Sequence, residues 1–527
     1  MKPEEGGIGH FCTTNEVAGN TGLTSSDETD HHAGKESSRG KSSLISRTVS
    51  QVEMEGSKLD LVVFGATGIT GKYTVLQLVE LATDVGDLKW GVAGRSQDKL
   101  ESVLRQISSK TGKDLSKIKI IVADVTDLLS LRNMTSQTRV LINTVGPYKL
   151  YGEPVVKACI DGGCHYVDVS AEPQQGELTL VKRRSELTYP SIYQKLEQYD
   201  EAIIMSGSSD NSDNRDKHIL LFMERMQLEY HEAAKQKNVY IINACGFDCI
   251  PVDLGTVFLV NNFKGDVNSV ECYLEVWQKT FMMGSAINYG TWHSAVYLMS
   301  EVEELKSIRK KLFPDCGPKM HPTLKHKWFV HKNKAVGGWS VPFPTADRSV
   351  IARSQRYFLQ HNKQRPIQLF SYVTFPYLLL ALAVWMLGGL LLLAAKFKAG
   401  REFILKHPRL LSGGLVGFDP SEKAMSNLYF SFTLYGKGWK DKMTEPTDQH
   451  TEKPNKTLVV KVSGNNPAYG ATCVALVLSA VTVVQQADKM PASGGVYTPG
   501  VAFGKTTLIE DLNKHGVKFE LVSVKEI

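Results

Sequence analysis

Residues 59–71 read LDLVVFGATGITG. A short, mostly apolar run from Leu59 to Phe64 ends on glycine, the pattern of a strand buried on both faces of a parallel sheet. Gly65, Gly68 and Gly71 follow at three-residue spacing, and a helical pattern then places Val75, Leu78, Val79 and Ala82 on one face. A strand, a glycine turn and a helix start bring free backbone N–H groups and a positive helix end to one point, which suits phosphate. Glycine lets the chain turn sharply there and approach a pyrophosphate closely. The spacing G-x-x-G-x-x-G varies on the G-x-G-x-x-G dinucleotide fingerprint, and the strand and helix that the fingerprint demands are both present. Gly65, Ala66, Thr67, Gly68, Ile69, Thr70 and Gly71 are therefore the expected cofactor loop.

The same rhythm continues outward. Strands are expected at 90–93, 118–122, 140–144 and 166–169, and helices at 98–110, 127–136 and 153–162. A helix at 222–236 and a strand at 239–243 resume it after an interruption. Strands alternating with helices imply βαβ units, and so an α/β, Rossmann-type, doubly wound parallel sheet. Beyond about residue 262, alternation such as Val270–Val276 predicts a more open, partly antiparallel sheet in a second α+β domain. The expected division is a polar leader at 1–57, a dinucleotide-binding domain at 58–262 carrying an inserted loop at 175–221, a second domain at 263–456, and a C-terminal segment at 457–527 that packs back on the core. Within these, 442–456 reads as a charged, proline-containing linker, 457–463 as a strand and 470–487 as a helix.

The end of the second strand indicates which dinucleotide is held. An acidic residue there suits a ribose 2′-hydroxyl, and an arginine suits a 2′-phosphate. This chain has Ala93-Gly94-Arg95-Ser96. A guanidinium pairs bidentately with phosphate and the Ser96 hydroxyl adds a bond, which favours NADP(H) over NAD(H). Asp124, after the third strand, is the expected adenine-side contact. Gly146 and Pro147 end the fourth strand, where a nicotinamide would lie. Tyr148 and Asp248 are the candidates for proton transfer, with Tyr151 a second phenol; the plain reading is an aromatic lid or core for the tyrosines and a loop cap for Asp248. Trp292 reads as core packing, with a substrate-pocket wall as the alternative, and His293 as a surface histidine. The Tyr-x-x-x-Lys relay of short-chain dehydrogenases has no convincing counterpart.

Composition limits the alternatives. The chain has 527 residues, of which 42% are hydrophobic and 22% charged, enough to build real cores and unlike a disordered, collagenous or disulfide-stapled chain. A net charge of +6 without a basic, aromatic-interleaved stripe gives no case for nucleic acid. The eight cysteines include no Cys-x-x-Cys pair, and His31-His32 stands alone, so no metal site is expected. The leader lacks an apolar core and carries Glu4, Glu5 and Glu16, features of neither a secretory signal nor a mitochondrial presequence. A reduced, cytosol-facing protein is expected.

One stretch resists a purely soluble reading. No charged side chain lies between Arg365 and Lys396. Read as one helix, 371–395 would reach roughly 37 Å against a hydrocarbon core of about 30 Å. Lys396, Lys398 and Arg401 follow it, as suits anionic headgroups. A single membrane-associating helix is expected, either spanning or bent into one face at Pro376, Gly388 and Gly389.

Several stretches resemble the animal saccharopine dehydrogenase-like oxidoreductases: LVVFGATGITGK (61–72), VAGRSQDKL (92–100), NTVGPYKLYGEPVVKACI (143–160), YVDVSAEPQ (166–174), GFDCIPVDLG (246–255) and SGGVYTPGVAF (493–503). The resemblance runs through nearly all of 58–527. It implies a Rossmann domain followed by a saccharopine-reductase-like domain, a hydrophobic segment, residence on membranes or lipid droplets, and an oxidoreductase; with the apolar segment, the preferred reading is a hydrophobic, lipid-like small-molecule substrate. Two departures stand out: a longer polar leader, and the insert at 175–221, where the family runs almost directly into the helix that begins here near Phe222. The alternatives are a nucleotide-binding scaffold without turnover on lipid droplets, and saccharopine reduction in lysine metabolism. Homo-oligomerisation stays open.

Overall fold

In the computed structural model the opening strand, β1 (Leu59–Phe64), lies in the middle of a seven-stranded sheet and is fully buried over its last four residues. The structure describes residues 58–170 and 222–526, apart from 281, 283, 301–310, 314, 316, 334 and 344–346. The leader, His31-His32 and the insert at 175–221 lie outside the described residues.

The strands of the first sheet are β1, β2 (Trp90–Gly94), β3 (Lys119–Val122), β4 (Thr138–Asn143), β5 (His165–Asp168) and β6 (Tyr240–Ile242). They are all parallel and stand in the order β3-β2-β1-β4-β5-β6. This is the doubly wound order, whose direction of winding reverses between β1 and β4. Helices α1 (Ile69–Val85), α2 (Gln97–Thr111), α3 (Leu128–Ser136), α4 (Tyr148–Gly162), α5 (Phe222–Gln236) and α6 (Ile250–Phe263) connect them and lead onward. Alternation along β1 explains its apolar run: Leu61 and Val63 join one core with Val75, Leu78 and Val79 of α1, while Val62 and Phe64 join another with Val155 and Val156 of α4 and Met226 of α5.

A second seven-stranded sheet is built from β7 (Asp266–Gln278), β9 (His331–Lys332), β10 (Trp339–Pro342), β11 (Gln368–Phe375), β13 (Leu428–Trp439), β14 (Lys456–Asn465) and β16 (Lys518–Glu526). Only β11 and β7 pair in parallel; the other pairs are antiparallel. The short strands β8 (Ile287–Asn288) and β12 (Val416–Gly417) form a separate parallel pair. Four more helices frame this half: α7 (Tyr289–Ser300), α8 (Asp347–Asn362), α9 (Leu378–Ala395) and α10 (Lys398–Lys406). The C-terminal stretch serves both sheets, since β14 and β16 extend the second while β15 (Gly495–Tyr497) pairs beside β6 in the first. Between them α11 (Thr472–Gln485) lies in the same core as β1, β7 and β13. Within the expected linker, the His450 ring stacks on Trp439 at 3.9 Å and its Nε2 lies 2.8 Å from Asp266 Oδ2.

The apolar segment is not one helix from 371. Ser371 to Phe375 belong to β11, where Tyr372 and Thr374 are buried. Aromatic and β-branched residues in alternation favour a strand, and Pro376 ends it. The helix that follows, α9, has 18 residues and so spans about 27 Å rather than 37 Å. It is largely exposed, with Ala381 and Ala395 its buried residues. By contrast α11, also long and apolar, is buried along nearly its whole length, so its composition is that of a core helix.

A buried polar junction links the two halves. Asp253 of α6 accepts hydrogen bonds at Oδ2 from Ser354 Oγ of α8 (3.0 Å) and from the Gly500 backbone N–H (2.6 Å). Gly500 begins the short helix α12 (Pro499–Phe503) with Pro499, and a Cβ there would lie 2.7 Å from the Asp253 carboxyl. Burial, against the opposing hydrogen bonds, pushes the Asp253 carboxyl from 3.8 up to about 6. The folded state therefore holds a proton that the unfolded chain has released, so folding loses stability as pH rises from about 4 to about 6. Asp253→Asn keeps the acceptor and removes the titration. The melting temperature of the variant relative to wild type should climb across this window and level off on either side; a difference independent of pH would contradict the assignment.

Candidate functional site

The ends of β1 and β4 are tied together. Thr144 donates to the Phe64 carbonyl twice, from its backbone N–H (2.9 Å) and from its hydroxyl (2.8 Å). Gly65, next in line, donates its N–H to Ala93 of β2 at 2.9 Å and takes φ +87°. A Cβ at Gly65 would lie 2.8 Å from Val145 Cγ2 and 2.9 Å from Thr144 Oγ1, so both conformation and space call for glycine. Gly71 serves closeness of another kind: a Cβ there would lie 2.2 Å from the Gly65 carbonyl oxygen, which shows how tightly the first turn of α1 folds onto the loop. Gly68 is exposed at the N-cap of α1, and a Cβ there would meet only the Gly65 oxygen, at 3.3 Å. No side chain caps α1 and no acid sits in its first turn. The loop thus offers uncapped N–H groups and the positive end of a 17-residue helix.

Elements from far along the chain support this loop. The Thr74 hydroxyl donates to the Thr70 carbonyl at 2.8 Å, and Cys473, at the start of α11, packs against the same two residues. The Tyr73 and Tyr469 rings are 5.2 Å apart.

Arg95 stands exposed just past the end of β2. Ser96 is the N-cap of α2 and accepts from the Lys99 N–H at 3.5 Å, which leaves its hydroxyl proton to donate. Asp124, past β3, is half-buried; its Oδ1 accepts from the Thr126 N–H and hydroxyl, each at 2.9 Å, which engages it in a turn. Gly146 is exposed and Pro147 is the N-cap of α4. The loop 65–71, Arg95–Ser96, Asp124 and Gly146–Pro147 thus all follow the carboxyl ends of β1 to β4, the edge where such sheets bind ligands. The chemistry of these residues suits a dinucleotide: the loop offers uncapped N–H groups at a helix start, and an exposed guanidinium and a hydroxyl follow the neighbouring strand.

The two proton-transfer candidates differ in setting. Tyr148 is buried, and its hydroxyl donates to the Asn143 carbonyl at 3.0 Å. Asp248 lies between β6 and α6 and keeps solvent access, yet surrounding protein pushes its carboxyl above the ordinary range. Trp292 and His293 lie on α7, away from the loop. The Trp292 Nε1–H donates to the Ile404 carbonyl at 3.1 Å and its ring packs against the cluster of Val296, Ala395 and Ile404. His293 is buried, not a surface residue, because α7 turns it inward; burial lowers its pKa.

Sequence reading missed the polar network that joins the ends of β4, β5 and β6. Asp168 is fully buried and accepts five hydrogen bonds: at Oδ1 from the Ser170 N–H (3.0 Å), the Ser170 hydroxyl (2.7 Å) and the Ala244 N–H (3.0 Å), and at Oδ2 from the Tyr166 hydroxyl (2.8 Å) and Asn243 Nδ2 (2.9 Å). Asn143 Nδ2 donates in turn to the Tyr166 oxygen at 3.0 Å. Burial raises the Asp168 pKa while these donors lower it. The signal available was a carboxylate closing an apolar strand, Tyr166-Val167-Asp168. Arg353 of α8 was missed as well: it is buried, its Nε–H donates to Gln227 Oε1 at 2.5 Å, and Nη2 has no hydrogen-bond partner among the described residues.

Comparison with known proteins adds to this geometry. The family model for "Saccharopine dehydrogenase NADP binding domain" matches residues 61–242. A human "Saccharopine dehydrogenase-like oxidoreductase" is 34% identical over 473 residues, covering 89% of this chain and 98% of that protein. A Caenorhabditis elegans "Lipid droplet localized protein" is 34% identical over 479 residues, covering 89% of this chain and 99% of its own length. An Arabidopsis thaliana "Probable mitochondrial saccharopine dehydrogenase-like oxidoreductase" is 29% identical, covering 88% of this chain and 96% of its own.

Two glycine substitutions separate the loop's fold from its ligand. Gly71→Ala collides with backbone and should lower the melting temperature by several degrees. Gly68→Ala meets little protein; it should leave the apo melting temperature within about a degree and abolish most of the rise caused by NADPH. A Gly68→Ala protein still fully stabilised by NADPH would mean that the loop does not face the cofactor.

Proposed function

This chain belongs to the saccharopine dehydrogenase-like oxidoreductase family, and from that premise we propose that it is an NADP(H)-dependent oxidoreductase working at a membrane or lipid-droplet surface on a hydrophobic, lipid-like substrate. The observation that carries the reading is the uncapped start of α1 at Gly68 with exposed Arg95 at the neighbouring strand end. The N–H groups of Ile69, Thr70 and Gly71 would hold the diphosphate, and Arg95 with Ser96 the 2′-phosphate. Asp124 keeps one carboxylate oxygen for the adenosine side, and Gly146 and Pro147 flank the nicotinamide position. Bound there, the cofactor would supply hydride exchange at a carbonyl, imine or alkene carbon. The chain's own part is to orient the two reactants and to exclude water.

Of the two candidates, Asp248 is the one proposed for proton transfer, because it keeps solvent access whereas Tyr148 is buried. A carboxyl raised by its surroundings holds its proton closer to neutral pH than an ordinary aspartate does. The Asp168 network would serve as a brace that fixes the ends of β4, β5 and β6 beneath it. The surface location draws on the exposed helix α9 and on the worm relative's printed name. A scaffold that binds nucleotide without turnover is the second reading, favoured by one observation: the Tyr148 hydroxyl is already committed to the Asn143 carbonyl. Oxidation of NADPH in the presence of a fractionated lipid extract supports the enzyme; binding with no consumption across all fractions supports the scaffold.

NADPH should raise the protein's melting temperature more than NADH does. Arg95→Ala should weaken NADPH binding by roughly ten- to a hundredfold, the value of one or two charge-assisted hydrogen bonds, and leave NADH within about twofold. Equal losses for both nucleotides would remove the case for a 2′-phosphate site.

A further inference from the structure

The second sheet constrains how this protein can meet lipid. β11 runs directly into α9 and β13 follows it in the chain, yet both flank β7 in one sheet, with Tyr372 beside Tyr273 and Thr433 beside the same Tyr273. Strands on either side of a shared neighbour stand about 10 Å apart. Were α9 to cross a bilayer, β11 and β13 would lie on opposite sides of about 30 Å of hydrocarbon. One crossing therefore breaks the sheet. A second crossing to restore it would have to lie between α9 and β13, where the helices have only 9, 4 and 5 residues.

The helix is also fastened at both ends. Ala381 in its first turn is buried, and Ala395 at its end packs with Val296 of α7 and Ile404 of α10. Arg401 Nη1 donates to the Ala395 carbonyl at 2.8 Å and closes the C-terminus. A straight helix held at both ends by one body lies along that body's surface. Its outer side is bare: Leu379 is 80% exposed, and Met386, Leu390 and Leu393 are exposed too. A distant loop adds to the same surface. Trp385 Nε1 of α9 donates to the Trp328 carbonyl at 3.0 Å, its ring lies 5.5 Å from that of Phe329, and Trp328 and Phe329 are 69% and 71% exposed. Exposed Lys396, Lys398, Lys406 and Arg409 border the patch, and Glu402 is the one acid between 396 and 409.

We propose that α9, with Trp328 and Phe329, is a keel that lies in the plane of a single phospholipid leaflet bearing anionic headgroups, with the chain before and after it on the same side. The all-apolar helix and the aromatic pair enter the acyl region, and the lysines meet the phosphates. This rests on the membrane-surface part of the proposed function and is independent of its cofactor part.

The test uses the full chain. Flotation is measured with vesicles of phosphatidylcholine alone and of phosphatidylcholine mixed with phosphatidylserine. Wild type should float with the mixed vesicles. Leu379→Glu, Leu390→Glu and Leu393→Glu together should cut that at least about tenfold, and Lys396→Glu, Lys398→Glu and Lys406→Glu together should abolish the preference for phosphatidylserine. Trp328→Ala with Phe329→Ala lies outside the helix and should also weaken flotation, which guards against a helix that merely fails to form. On sealed microsomes, tags placed at Met1 and at Ile527 should both be removed by external protease. A protected tag overturns the in-plane keel while leaving membrane contact standing. Flotation unaffected by the glutamate substitutions overturns the surface assigned here, and no flotation of wild type overturns the membrane reading itself. The NADPH-induced melting shift, measured on the same preparations, reads the cofactor site separately.

Discussion

Two hydrogen bonds from Thr144 to the Phe64 carbonyl hold the point on which the molecule turns. They join β1 and β4 where the winding of the sheet changes direction, so the connections diverge to opposite faces and leave a crevice above the strand ends. Gly65 must then leave β1 at positive φ in a space with no room for a Cβ, and α1 must start where Gly71 can touch the loop. Backbone N–H groups at that start have no partner within the helix. A loop so tightly determined is preorganised for an anion, because little conformational freedom remains to be lost on binding.

The rest of the fold keeps that edge rigid. Asp168 gathers the ends of β5 and β6 with five donors, and Asn143 brings β4 into the same network through Tyr166. Burying one carboxylate is tolerable because it is so fully hydrogen-bonded. The C-terminal stretch adds support from behind: α11 packs at the root of the glycine loop, and β15 extends the sheet beyond β6. The second sheet shares its core with the first and leaves α9 on the outside, so one packed unit carries both the proposed nucleotide crevice and an apolar flank.

Much of this was legible in the sequence where local pattern and local structure agree. Apolar runs alternating with helical patterns indicated the strands of the first sheet, and the loop at 65–71 followed from glycine spacing set between a strand and a helix. Legibility failed where partners come from afar. Nothing near Asp168 announces Asn243 and Ala244, and nothing near Thr70 announces Cys473. The boundary at Pro376 was missed because the apolar residues of 371–375 suit a strand as well as a helix, and only pairing with β7 decides between them. His293 looked like a surface residue because one histidine on an isolated helix carries no sign of what covers it.

The proposed function needs this crevice to hold a dinucleotide by its diphosphate and its 2′-phosphate. A crystal structure of the protein soaked with NADPH tests it most directly. The expected density shows the diphosphate on the N–H groups at the start of α1 and the 2′-phosphate within hydrogen-bond reach of Arg95 and Ser96. Nucleotide bound elsewhere, or bound here with its 2′-phosphate turned to solvent away from Arg95, would contradict it.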